Sequence, residues 1–180
     1  THAGPCRVWR HWTKKAKQML EGLPPVLDTH TRLLVLGSFP GRASLETQRY
    51  YGHAQNHFWK ILAAIWQLPL TDMPYDQRIH TLRERGLGLW DVYAACEREG
   101  SLDSAIRNAQ PNDLSTLRTI CPRLSAVAHN GGESFRHARH TQALGVLVYR
   151  LPSTSPANAS WSFERKLAAW AEVLKKHGAA

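Results

Sequence analysis

Four short apolar runs punctuate the chain, and the stretches between them carry a helical beat. Leu33 to Leu36 is a continuous apolar run, the pattern of a strand buried on both faces, and it predicts a strand over 32–37. Gly86 to Tyr93 (GLGLWDVY), Leu124 to Ala128 and Val146 to Leu151 repeat the pattern and predict three more strands. Trp9, Trp12, Ala16, Met19 and Leu20 recur at helical spacing, which predicts an amphipathic N-terminal helix over 8–21. Pro24 and Pro25 end that region. Phe58, Ile61, Leu62 and Ile65 share one face of a helix predicted from Asn56 to Trp66, and a loop with Pro69 and Pro74 leads to a polar helix over 75–85. Ser101 is expected to cap a short helix through Ile106, and Asn112 or Asp113 one running to Ile120. Further helices are expected at Glu133 to His140 and Trp161 to Lys176. Strands alternating with helices imply an α/β fold with a parallel sheet covered on both faces.

A chain of 180 residues fits one domain with a substantial core. With 23 Lys plus Arg against 14 Asp plus Glu, the formal charge is +9, which raises the expectation of a polyanionic partner without specifying chemistry. Much of the excess lies at Arg7, Arg10, Lys14, Lys15 and Lys17, and at Arg136 and Arg139, where a merely solvated face is an equal reading. Cys6, Cys96 and Cys121 are scattered and form no C-x-x-C pair, so neither a zinc site nor a disulfide framework is expected, and reduced cysteines point to the cytoplasm. No apolar run approaches the length of a membrane span. The first residues lack the apolar core of a secretory signal, and a first residue of Thr fits a truncated or processed chain.

The chemistry concentrates in LLVLGSFPGRASLETQRYYGHAQNHFW, Leu33 to Trp59. Gly37, Pro40 and Gly41 turn the chain at the carboxyl end of a strand, where open α/β sheets bind ligands. Tyr50, Tyr51, Phe58 and Trp59 then crowd a segment that also holds His53 and Asn56. Backbone N–H groups, aromatic faces and a carboxamide suit a flat heterocycle attached to sugar and phosphate. Each residue also has a plain reading. Asn56 is an ordinary N-cap, Tyr51 a core tyrosine, Asn130 a turn residue before Gly131, and His53 a surface histidine. No carboxylate stands out as a base; Asp91 is the one candidate, and it reads rather as a strand-end hydrogen-bonding residue.

This segment resembles motif 1 and the following region of the uracil-DNA glycosylase superfamily, in the branch acting on hypoxanthine and uracil in DNA. LPSTSPANA, Leu151 to Ala159, resembles the DNA-contacting motif 2 loop, and LSAVAHNGG, Leu124 to Gly132, the strand and turn between. The three stand in order across roughly residues 23–174, nearly the whole chain. The resemblance implies a three-layer α/β/α single domain with a central four-stranded parallel sheet over 23–180, preceded by a basic helical extension over 1–22. Mismatch-specific relatives carry a catalytic Asn within the first turn, where this chain has Phe39; in the hypoxanthine-type branch the role falls to an Asn matching Asn56.

The implied site then follows. Asn56 places the water, Tyr51 stacks on the flipped base, and Phe39 walls the pocket. Backbone at Gly37, Ser38 and Phe39, with the Asn130 side chain, reads the adjacent carbonyl and ring N–H that hypoxanthine and uracil share. Ser153, Thr154 and Ser155 hold phosphate. His53 touches phosphate or sugar, and Pro156, Ala157 or Asn158 fills the gap left by the flipped nucleotide. Some branches hold an iron–sulfur cluster on four cysteines, which three scattered ones cannot supply. With no marked amine nucleophile, the expectation is a monomeric, monofunctional glycosylase using neither cofactor nor metal. It would act on DNA containing deaminated bases, in the cytoplasm (at the nucleoid if bacterial). A non-catalytic DNA-binding relative and a small-nucleoside hydrolase are the alternatives, and the absence of G-x-S-x-G counts against a serine hydrolase.

Overall fold

The computed structural model describes residues 17–180. Its strands are β1 (Met19–Glu21), β2 (Leu33–Gly37), β3 (Leu87–Asp91), β4 (Tyr93–Glu97), β5 (Arg107–Pro111), β6 (Ala126–Asn130) and β7 (Leu147–Leu151). Its α-helices are α1 (Arg42–Thr47), α2 (Phe58–Trp66), α3 (Tyr75–Glu84), α4 (Leu117–Ile120), α5 (Gly132–Phe135), α6 (Ala138–Gln142) and α7 (Phe163–Lys176). The four predicted apolar runs form one parallel sheet in the order β3-β2-β6-β7. Every residue of β2 and β3 is buried, as a strand covered on both faces requires. Leu33 and Val35 pack with Phe58, Ile61 and Leu62 of α2 and with Trp170 and Leu174 of α7. Leu34 and Leu36 face the other way, onto Leu114, Leu117 and Cys121. The domain is therefore a three-layer α/β/α fold, as expected.

Beside it lies a small antiparallel sheet, β1-β4-β5, which the pattern did not predict. It corrects two expectations. Within the described residues, the C-terminal end of the predicted 8–21 helix is strand β1, paired with β4; residues 8–16 of that helix lie outside them. Helical spacing failed there because the tertiary partner, an available strand edge, overrides a short local pattern. The predicted strand over 86–93 is also two strands in two sheets, divided at Val92. Val92 and Tyr93 donate their N–H groups to the carbonyls of Gly37 and Ser38, at 2.8 and 3.1 Å, so the crossing clamps the turn after β2.

Smaller corrections have local causes. Ser101 caps no helix of its own segment: its hydroxyl oxygen accepts the Arg42 N–H that opens α1, at 2.9 Å, and only a single 3₁₀ turn forms, at Asp103–Ala105. Asp113 does cap, accepting the Ser115 N–H at 3.1 Å ahead of a 3₁₀ turn and α4. The helix predicted over 133–140 breaks into α5 and α6 around Arg136 and His137, whose ring meets the Tyr93 hydroxyl at 2.9 Å. The last helix begins at Phe163, where the Ser162 hydroxyl accepts the Arg165 N–H at 3.2 Å. The six-residue helix α1 was not predicted.

His129, fully buried on β6, joins the sheet to α5 and α6. Its Nδ1 lies 2.8 Å from Ser134 Oγ and its Nε2 2.8 Å from Thr141 Oγ1. Ser134 also donates to the Leu36 carbonyl at 2.6 Å and Thr141 to the Ala138 carbonyl at 3.0 Å, so the ring lies in a polar network that ties β6 to both helices. Burial lowers the pKa of this imidazole from 6.5 to about 4. A folded pKa below the unfolded one confers stability above the unfolded value that is lost as pH falls through the folded value. The chain should therefore lose up to about 3 kcal/mol through this group between pH 6.5 and 4. Urea unfolding at neutral and acid pH should show that loss in the native chain and a smaller one in His129→Gln; parallel losses would place the linkage elsewhere.

Candidate active site

The turns at the carboxyl ends of the parallel strands enclose one cavity of about 860 Å³, within the usual size range of small-molecule sites. The residues named from the sequence all line it: Gly37, Ser38 and Phe39 after β2, then Tyr51, His53 and Asn56. Asn130 at the end of β6, and Ser153, Thr154, Ser155 and Asn158 after β7, complete the set.

On the β2 side the turn is held by donors beneath it. The Ser38 hydroxyl donates to Asp103 Oδ1 at 2.6 Å. Phe39 is buried under the Arg98 guanidinium, 5.2 Å from its ring centroid. Arg98 also donates to the carbonyls of Pro40 and, at 3.1 Å, Gly100, so one side chain braces two segments of the rim.

The aromatic wall is rigid. The Tyr51 ring stacks on Phe58 with centroids 4.1 Å apart. Its backbone is left-handed (φ +54°), a conformation a bulky residue adopts only when its surroundings impose it. Tyr50 points elsewhere, its hydroxyl donating to the Pro24 carbonyl at 2.9 Å. Asn56 Oδ1 accepts the Phe58 N–H at 2.9 Å, a local turn one residue ahead of the helix N-cap His57, and a second lone pair remains on that oxygen. Exposed His53 accepts the Gln55 N–H at Nδ1, 3.1 Å away.

Asn130 is engaged within the protein. Its Nδ2 donates to the Tyr51 hydroxyl at 3.1 Å and to Thr154 Oγ1 at 3.0 Å, and its Oδ1 accepts the Thr154 N–H at 3.0 Å. The 153–158 loop is organised by its own side chains. Ser153 Oγ accepts the Ser155 N–H at 3.2 Å, and Asn158 donates to the Ser153 carbonyl at 3.1 Å. The loop docks onto the Asn56 turn through His57 N–H to the Thr154 carbonyl, 3.0 Å. Buried Lys166 of α7 lies behind it, its Nζ 3.3 Å from His57 Nδ1 and 3.5 Å from the Ser155 carbonyl. Burial lowers the pKa of both the Lys166 amine and the His57 ring.

Asp91, which reads from the sequence as a strand-end hydrogen-bonding residue, has a larger place here. It ends β3 at the floor of the cavity, only 5% exposed, and its Oδ2 has no hydrogen-bond partner. A side chain at Gly37 would overlap its Oδ1, so that glycine is needed for close approach. Burial, with Asp103 nearby, raises the carboxyl pKa to about 7 despite Arg98. The available signal was a carboxylate closing an otherwise apolar strand at its ligand-binding end. Among the described residues no group of three or more His, Cys, Asp or Glu is arranged to hold a metal, and Cys96 and Cys121 are buried free thiols. No helix among them is long and apolar enough to cross a membrane.

Residues 24–175 match the family model of the uracil DNA glycosylase superfamily. A hypoxanthine DNA glycosylase of Methanosarcina barkeri is 37% identical over 156 residues, 87% of this chain and 98% of that protein. One of Methanosarcina acetivorans is 37% identical over 154 residues, 86% of this chain and 97% of that protein. The solution NMR structure of a provisionally named uracil DNA glycosylase from Methanosarcina acetivorans superposes with a TM-score of 0.80 at 36% identity, covering 88% of this chain and 98% of that one.

Proposed function

Since the chain belongs to the uracil DNA glycosylase superfamily, we propose that its cavity receives a deaminated base flipped from DNA and hydrolyses its glycosidic bond. It is a DNA repair N-glycosylase, and the expected bases are hypoxanthine and uracil. The observation that carries the mechanism is the convergence of Asn56, Tyr51, Asp91 and the 153–158 loop on one cavity.

Chemistry on a base requires it out of the stack. Tyr51, backed by Phe58, offers the extruded ring a flat surface, a contact worth about 1–3 kcal/mol. Ser153 and Ser155 hold backbone phosphate without reading sequence, whereas Thr154, expected to join them, is buried and bonded to Asn130 and so positions the loop; His53 lies at the same mouth. The free lone pair of Asn56 Oδ1 accepts a hydrogen from water below the anomeric carbon. As the C–N bond breaks, its electron pair leaves with the base. Water oxygen bonds to the sugar, its proton passes to the departing base, and an abasic site remains.

Asp91 complements the base edge. A neutral carboxyl presents a donor and an acceptor side by side, matching the carbonyl and ring N–H of a lactam, and a carboxyl pKa near 7 keeps that form populated at neutral pH. Its hydroxyl also faces the carbonyl oxygen on which charge develops as the base departs. Backbone at Gly37 to Phe39 adds to this edge, while Asn130 positions Tyr51 and Thr154. Every group in this scheme comes from one chain and the water is placed by an amide, so a monomer acting without metal suffices. The basic side chains of residues 1–22, ahead of the family match, add attraction for DNA, in the cytoplasm or nucleoid where that DNA lies.

The reading is tested by incubating the protein, in chelator, with labelled hypoxanthine, uracil and normal duplexes and cleaving abasic sites with alkali. Breaks at hypoxanthine or uracil only after alkali are expected. Inert DNA substrates would favour a binding-only relative, and turnover of free deoxyinosine alone a nucleoside hydrolase. Asn56→Ala should slow single-turnover cleavage roughly 100-fold, the usual cost of one positioned polar group; a loss under about fivefold, with DNA binding intact, would remove it from the role. Asp91→Ala should lose about tenfold or more, since one hydrogen bond to substrate is removed, whereas Asp91→Asn keeps the donor–acceptor pair and most of the activity. Equal losses in the two variants would show that a neutral carboxyl is not the reader.

A further inference from the structure

One buried charge has no part in that mechanism. Lys166 of α7 is 1% exposed, less than any other Lys, Arg, Asp or Glu among the described residues. The ion pairs among those residues join Arg42 to Glu46, His80 to Glu84 and Arg136 to Glu133, so no carboxylate there neutralises it. Its Nζ meets two acceptors, His57 Nδ1 at 3.3 Å and the Ser155 carbonyl at 3.5 Å. Neither is anionic. A buried ammonium without a counter-charge costs folding free energy that an apolar side chain of similar length would not. The amine responds as its burial dictates, with a pKa below the usual lysine value.

The charge lies directly behind the part of the site that faces phosphate. Ser153 and Ser155 line the cavity, whereas Lys166 does not and reaches the loop from the protein side. His57, its other partner, follows Asn56 in the chain and donates its N–H to the Thr154 carbonyl at 3.0 Å. The Phe163 ring stands edge-on to His57, with centroids 5.2 Å apart. The amine therefore sits in the seam between the loop and the Asn56 turn. A charge in such surroundings is weakly screened, and its field reaches the outer face of the loop. That loop has no cation of its own, since residues 151–163 contain neither Lys nor Arg. We infer that the missing counter-charge of Lys166 is a DNA phosphate seated on Ser153 and Ser155, which the amine attracts through the loop without touching it. This rests on the glycosylase reading above and makes Lys166 a positioning residue for the DNA strand. The cost of burying the charge is offset only when DNA is bound.

Binding and chemistry separate experimentally. Affinity is measured over a range of salt concentrations on a duplex bearing a tetrahydrofuran abasic analogue, which requires no turnover. Lys166→Met should weaken binding about tenfold at low salt and reduce the slope of log Kd against log salt by about one, the share of one phosphate contact. Lys166→Arg keeps the charge and should restore both. Cleavage of a hypoxanthine duplex at saturating Lys166→Met should stay within about threefold of the native rate, because the bound complex is chemically intact. The unfolding midpoint of Lys166→Met should hold or rise, since an uncompensated charge leaves the interior. An affinity unchanged at every salt concentration would overturn the inference. So would a loss of equal size at all of them, the mark of a misplaced loop rather than a missing charge. A second measurement needs no variant to fold: NMR of the native protein with labelled lysine side chains should show the Lys166 amine pKa rising when the analogue duplex binds. An amine that does not move would also overturn the inference. A native protein that binds the analogue yet cleaves neither hypoxanthine nor uracil would sink the glycosylase reading instead, leaving the salt and titration results to decide this one.

Discussion

The amide of Asn130 is the contact on which the site depends. It stands at the end of a central strand and makes three hydrogen bonds outward, to the Tyr51 hydroxyl and to the hydroxyl and N–H of Thr154. One planar group thereby fixes an aromatic wall and a loop that are about a hundred residues apart in sequence. Each has supports of its own, Tyr51 in its stack on Phe58 and the loop in its Ser153 and Asn158 bonds, and the amide ties the two to each other. The amide is half-buried, and a polar group left unpaired there costs more than the bond it made contributed, so removing any partner destabilises the rest.

Much of this was legible in the chain. The four strands of the parallel sheet follow from their apolar runs, and the signal is strongest in β2, where every residue is buried and none is polar. Helices α2 and α7 follow from apolar stripes that cover the sheet. The small sheet was not legible. Met19–Glu21 is partly exposed, and three residues carry too little pattern to distinguish a strand edge from a turn of helix. The broken helix at His137 was hidden for a related reason, since a tertiary hydrogen bond to Tyr93 stands at the break.

The site was legible by type more than by role. Motif order gathered Gly37, Tyr51, Asn56, Asn130 and Ser153 correctly into one cavity. It did not reveal that Asn130 faces inward to the protein, because a carboxamide ahead of two glycines reads equally well as a ligand contact. Nor did it reveal Asp91. A single Asp at a strand end is ordinary, and only its burial without a partner, over a glycine whose missing side chain leaves room, marks it. Burial of a lone carboxyl is a three-dimensional property to which no local pattern corresponds.

The crossing at Val92 has a mechanical meaning. One residue joins the parallel sheet to the small one, and its own N–H and that of Tyr93 are fastened to the turn after β2. Asn112, beyond β5, holds the same junction from its other side, bonding the carbonyls of Asp91 and Val92. The main chain that ends at Asp91 is thus fastened from both sheets, so the place of its carboxyl is set jointly by the parallel sheet and the small one.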